Sequence, residues 1–160
     1  MRGRRGTTGA GMALALMLAG APAAAQQASL EEKLREQGYT FEIDADGDYK
    51  MVIKWSTDQR SQVVFVGGRT EELGSLTIRE VFAPAALVGK HRINGGKALK
   101  LLAHAGEMKV GSWEIRGELL YFVAKVPDSF TASELDKLVT TIAEVADNKE
   151  IELTGGKDDF

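Results

Sequence analysis

The spacing of apolar residues changes period several times along this chain, and each change marks an element. Leu30 and Leu34 give one narrow helical stripe behind Ser29-Leu30-Glu31-Glu32, an S-x-x-E capping box, and Gly38 is the stop. Tyr39, Phe41 and Ile43 then alternate with polar residues, as a half-buried strand does. Asp44 to Asp48 reads as a turn. Tyr49, Met51, Ile53 and Trp55 fall on one side of a second strand, with Lys50 and Lys54 on the other. Gln62 to Val66 is nearly all apolar and predicts a strand covered on both faces, broken by Gly67-Gly68. Glu71 to Gly74 reads as a loop or wide turn, and Leu76 and Ile78 open a fourth strand. Pro84 has no N–H, so pairing is expected to stop before it.

Asn94 precedes a helix from Gly96 to Ala105, closed by Gly106. Its polar residues, Lys97, Lys100 and His104, form a single thin stripe. Ala98, Leu99, Leu101, Leu102 and Ala105 occupy the remainder together with Ala103, a wider apolar surface than one core normally covers. The first five of these residues are the candidate interaction site, with a second copy of the chain as the expected partner.

Met108 to Val126 then alternates with period two about Gly117-Glu118, which suits a type II′ hairpin turn. The fold-over sets Ile115 opposite Leu120, Trp113 opposite Phe122 and Gly111 opposite Ala124 on an apolar face. Arg116, Glu114 and Ser112 meet Leu119, Tyr121 and Val123 on a mixed one. Thr131 to Glu134 is a second capping box, followed by Leu135, Leu138, Val139, Ile142, Val145 and Ala146 at helical spacing. This helix is expected to cover the hairpin over Gly111 and Ala124. Lys157 to Phe160 reads as a polar tail. The order α-β-β-β-(β)-α-β-β-α predicts an α+β fold, an antiparallel sheet with helices packed on it.

The first 25 of the 160 residues have the layout of an export signal: Arg2, Arg4 and Arg5, then the apolar run Met12 to Ala21, then Ala23-Ala24-Ala25. Cleavage there leaves 26–160 as one domain of 135 residues with a net charge of −6 and no cysteine. The expected location is periplasmic or secreted. The apolar run is shorter than the roughly 20 residues of a membrane span, so no stable insertion is expected after cleavage. A mildly acidic domain also argues against nucleic acid as partner.

Several stretches resemble the YbjN-domain family of bacteria: Glu36-Gln37-Gly38-Tyr39, Val110-Gly111-Ser112-Trp113, and Ala146-Asp147 with Leu153-Thr154-Gly155. The resemblance covers most of residues 29–156. It implies a fold similar to that of type III secretion chaperones, without known catalysis and able to dimerise. It carries over no active-site residues. Those chaperones work in the cytoplasm, whereas this chain carries an export signal.

Candidate chemistry is sparse. Asp44, Asp46 and Asp48 start like a calcium loop, but Tyr49 and Trp55 stand where an EF-hand needs glycine and glutamate. His91 and His104 are the only histidines and read as solvent-exposed, which with no cysteine leaves no zinc ligand set. Gly95-Gly96-Lys97 precedes a helix, yet Ala98 replaces the Ser or Thr of a P-loop. Lys90, Arg92, Lys97 and Lys100 read as a solvated basic patch, and Trp55 and Trp113 as core residues. No catalytic, metal or cofactor residue is assigned. The expected function is an exported, non-catalytic protein-binding or chaperone-like module. The alternatives are a small apolar-ligand carrier, or an unrecognised hydrolase.

Overall fold

A computed structural model describes residues 29–56 and 59–160. The expected export signal, residues 1–25, lies outside these residues. The elements follow the order α1 (Leu30–Glu36), β1 (Glu42–Ile43), β2 (Tyr49–Lys54), β3 (Ser61–Leu73), β4 (Leu76–Leu87), α2 (Gly95–Ala105), β5 (Ser112–Arg116), β6 (Leu119–Pro127) and α3 (Ala132–Thr154). The six strands form one antiparallel sheet in the order β1-β2-β3-β4-β6-β5, so the fold is α+β as expected.

Alternation along the strands sends one set of side chains to the helices. Met51, Val64, Val66, Val81, Ala83, Trp113, Leu120, Phe122 and Ala124 form a core with Leu34 of α1, Leu101 of α2 and Leu135, Val139, Ile142, Ala143 and Ala146 of α3. Full burial of each large apolar residue stabilises by ~1.5–3 kcal/mol, so α3 is the main clamp on the sheet. Both capping boxes form: Ser29 and Glu32 exchange hydrogen bonds at the head of α1, and Thr131 and Glu134 do so at the head of α3.

The hairpin register is the expected one from Ser112–Val123 to Arg116–Leu119, and Gly117 takes φ +60°. Gly111, however, does not pair with Ala124. It lies outside β5 at φ +85°, where a Cβ would sit 2.8 Å from Cε1 of Phe122. The helices also divide the sheet differently from expectation. α3 lies mainly across β4 and β3, and α2 lies against β5, over Trp113. α3 continues past Ala146 to Thr154, because Asp147 and Glu150 keep the buried stripe going with polar residues.

Four strand expectations need correction. The run at Tyr39 yields only the two-residue β1. β3 passes through Gly67-Gly68 as a bulge and continues to Leu73, absorbing the expected loop. Gly68 is there because the turn at Asp44–Asp48 packs onto it: a Cβ would strike the Gly47 carbonyl, and its N–H donates to Asp48 Oδ1. Arg79 holds the bulge from below, donating to the Gly67 carbonyl and to Asp128. Gln62 to Val66 is covered by helices on one face only. Its other face is half-buried, with Phe65 stacked on Phe82 at 5.1 Å. Finally, Pro84 ends pairing on one side alone. The β3–β4 ladder closes at Phe65–Phe82, whereas β4 pairs with β6 through Pro84–Tyr121 to Leu87–Leu119.

Candidate functional site

The five candidate interaction residues lie on α2, whose first turn is capped by the Asn94 side chain accepting from Lys97 N–H at 3.1 Å. The structure divides them. Leu101 is 5% exposed and belongs to the core, and Ala98 and Ala105 are half-buried. Leu99 and Leu102 are 69% and 64% exposed. Gly96, Ala103 and Gly106 are also exposed, so the outward face reads Gly96-Leu99-Leu102/Ala103-Gly106 at helical spacing. This is an apolar strip whose small residues leave hollows beside two leucines.

Both histidines are more enclosed than their sequence neighbourhood suggests. His104 lies against Trp113, and its Nδ1 accepts the indole N–H at 3.0 Å. The His91 side chain is 7% exposed, its Nδ1 accepts from Leu87 N–H at 3.0 Å, and its Nε2 is 3.2 Å from Asp159 Oδ2. Each imidazole therefore holds a structural position. The expected solvated basic patch is also partly engaged: Lys97 donates to the His91 carbonyl at 2.7 Å, and Lys90 pairs with Asp159 at 2.6 Å. The Asp44–Asp48 segment is a turn, with Asp44 Oδ1 accepting from the N–H groups of Asp46 and Asp48.

Away from the helices, the sheet presents Phe65, Phe82 and Tyr121 beside four charges. Arg116 pairs with Glu80 at 2.9 Å and with Glu114 at 2.7 Å, and Lys125 reaches Glu114 at 2.9 Å. The Arg116 guanidinium also stands 5.4 Å from the Phe82 ring centre. Burial works against the Glu114 charge, but Arg116 and Lys125 outweigh it and hold its carboxyl below the ordinary value. A pocket of about 160 Å³ opens here, between Gly67, Glu80, Phe82 and Arg116.

The largest departure from expectation is at the tail. Where Pro84 cannot supply an N–H, β3 and β4 separate. The Gln62 side-chain amide bonds the Pro84 carbonyl at 2.8 Å, and Val63 N–H bonds the Phe160 carbonyl at 3.1 Å. Phe160 is thus docked on the edge of β3, and Asp159 on α3 and the connection after β4. Glu150, fully buried, accepts from the N–H groups of Asp159 and Phe160. Burial pushes the Glu150 carboxyl up, against the pull of those N–H groups and of Arg60. Asp147, Glu150 and Asp158 come close enough together for a cation, and Arg60 lies among them at 2.8, 3.6 and 3.9 Å. The guanidinium is itself the cation of that cluster. Periodicity could have found the Asp147 and Glu150 side of it, since both fall on the inward stripe of α3.

A scan against family models finds no match to this chain, and a search of curated proteins finds none. Among the described residues, no helix is long and apolar enough to cross a membrane.

Proposed function

We propose that this chain is an exported, non-catalytic protein-binding or chaperone-like module that works as a homodimer through the outward face of α2. The observation that carries the reading is the exposure of Leu99 and Leu102 on one helix face. Leaving two large apolar side chains in water forgoes ~1.5–3 kcal/mol each, which a second copy recovers by covering them. The strip is suited to pairing with itself, because in an antiparallel two-fold contact Leu99 meets the small residues of the partner strip. The resemblance to the YbjN-domain family points to the same class. The engagement of both imidazole Nδ1 atoms favours binding over acid–base chemistry. Against the carrier alternative, the space between sheet and α3 is filled by Val139, Ile142, Ala143 and Ala146.

The test is the mass in solution of the chain that begins at Gln26, at about 50 μM. Twice the chain mass is expected by light scattering. Leu99→Glu is expected to return the mass to one chain with the far-UV circular dichroism unchanged, because Leu99 lies outside the core. A wild-type monomer defeats the dimer, and an unchanged dimer in Leu99→Glu puts the contact elsewhere. Export is tested on the chain recovered from the envelope fraction of an expressing bacterium, whose N-terminus should be Gln26.

A further inference from the structure

The docked tail has a consequence beyond the α2 face. Its seat draws on several elements. Val63 of β3 binds a backbone carbonyl of the tail, and Glu150 of α3 binds two backbone N–H groups. Lys90 and His91, in the connection after β4, hold the Asp159 carboxylate at 2.6 and 3.2 Å. Arg60 stands 3.9 Å from Asp158. Two successive N–H groups, one carbonyl and one carboxylate are therefore read at fixed positions. One main-chain bond from the sheet, a side-chain carboxylate of α3 and a cation on the aspartate thus hold the tail, a mixed form of the peptide capture seen at sheet edges. The tail does not complete the seat. Among the described residues, the buried Gln62 Oε1 has no hydrogen-bond partner, whereas Glu150 Oε2 faces the Arg60 guanidinium at 3.6 Å. Native interiors seldom leave such acceptors empty, and the Gln62 amide lies at the seam itself, on the Pro84 carbonyl.

We propose that the seam between Gln62–Val63 and Pro84 is a peptide-binding site for an extended acidic segment, and that residues 158–160 fill it in cis. Past the end of α3 the tail runs through Gly155 and Gly156, both at positive φ, and polar contacts to Val63, Lys90, His91 and Glu150 hold it down. Such a segment opens more readily than the core does. While closed it competes with any incoming peptide at an effective concentration of order millimolar. The ligand class is an acidic peptide from another protein, with a donor group at the place where Gln62 Oε1 stands empty. This reading uses different residues from the α2 contact, so either stands without the other.

The experiment uses the full chain and a fluorescent peptide of sequence Gly-Lys-Asp-Asp-Phe-Gly. Asp159→Asn removes the carboxylate that Lys90 and His91 hold and leaves the seat intact. It is expected to bind the peptide at least about tenfold more tightly than wild type, read by anisotropy. Exchange of the Val63 amide should quicken about tenfold and slow again when peptide is added. Lys90→Gln is expected to loosen the tail similarly while leaving peptide binding weak, because the seat has lost its cation. Peptide binding that is the same in Asp159→Asn and wild type overturns the proposal. So does a Val63 amide equally protected in both, which would make the tail a permanent strand-like part of the sheet. Equal affinity for the peptide carrying asparagine in place of its second aspartate overturns it as well.

Discussion

Gly111 carries more of this fold than its place in a loose stretch before β5 suggests. At φ +85° an L side chain is strained, and the Cβ position faces the Phe122 ring at 2.8 and 2.9 Å. The two effects do not relieve each other, since Phe122 is fully buried and its ring packs on Trp113 at 4.8 Å. Gly111→Ala is therefore expected to destabilise by more than the ~1–2 kcal/mol of a left-handed alanine alone, measured by urea unfolding. A loss below about 0.5 kcal/mol would show that the ring yields freely. The strand pattern of the hairpin was legible at this scale, because alternation decides register. The conformation of Gly111 was not, because a glycine within an alternating run looks like a missing side chain, and only the neighbouring Phe122 reveals a tight turn. Arg79 and Arg60 were equally hidden. Nothing local marks an arginine that will meet a carbonyl twelve residues back, or three acids more than eighty residues on.

At the level of elements, periodicity was a good guide to existence and a poor one to partners. Both capping boxes, the cap at Asn94 and the II′-compatible hairpin lie where their short-range chemistry put them. Which helix lies over which strands depends on the strand order. β4 inserts next to β6, so the centre of the sheet is β3 and β4, and the longest apolar stripe goes there. Pro84 illustrates the limit. Its missing N–H was visible, and so was the end of one ladder. A strand has two edges, however, and the edge towards β6 tolerates a proline where the register shifts between Pro84 and Ala86. Of the candidate site, the apolar excess on α2 was legible from residue count around the helix. Leu101 joined the core because it faces inward, a matter of roughly one helical position from Leu102. The seat of the tail was not legible, since residues 157–160 have neither periodicity nor a motif.

Across the whole molecule, the carboxylates set the response to acid. Glu134 lies below its ordinary value because the Thr131 backbone N–H and hydroxyl bond its charged form, and Glu32 does so through Ser29. Asp159 is lowered mainly by its hydrogen bond to Lys90. Such groups hold protons less readily folded than unfolded. Their stabilisation is present above the unfolded value and is lost as pH falls through the folded one. Glu150 runs the other way. Burial raises it, so it accepts a proton in the folded state first, and its ionisation costs stability as pH rises towards the folded value. Three lowered carboxyls, with Glu114 as a fourth, oppose one raised, so stability is expected to fall as pH drops below about 4. Glu134→Gln isolates one contribution. Glutamine at the third helical position can still bond back to the cap, but it neither titrates nor favours the positive end of the α3 dipole. The melting temperature of wild type should exceed that of Glu134→Gln near pH 7, and the difference should shrink as pH falls and Glu134 takes up a proton. A difference that stays constant from pH 7 to pH 3 would mean that the cap acts through shape alone, with no part played by the charge.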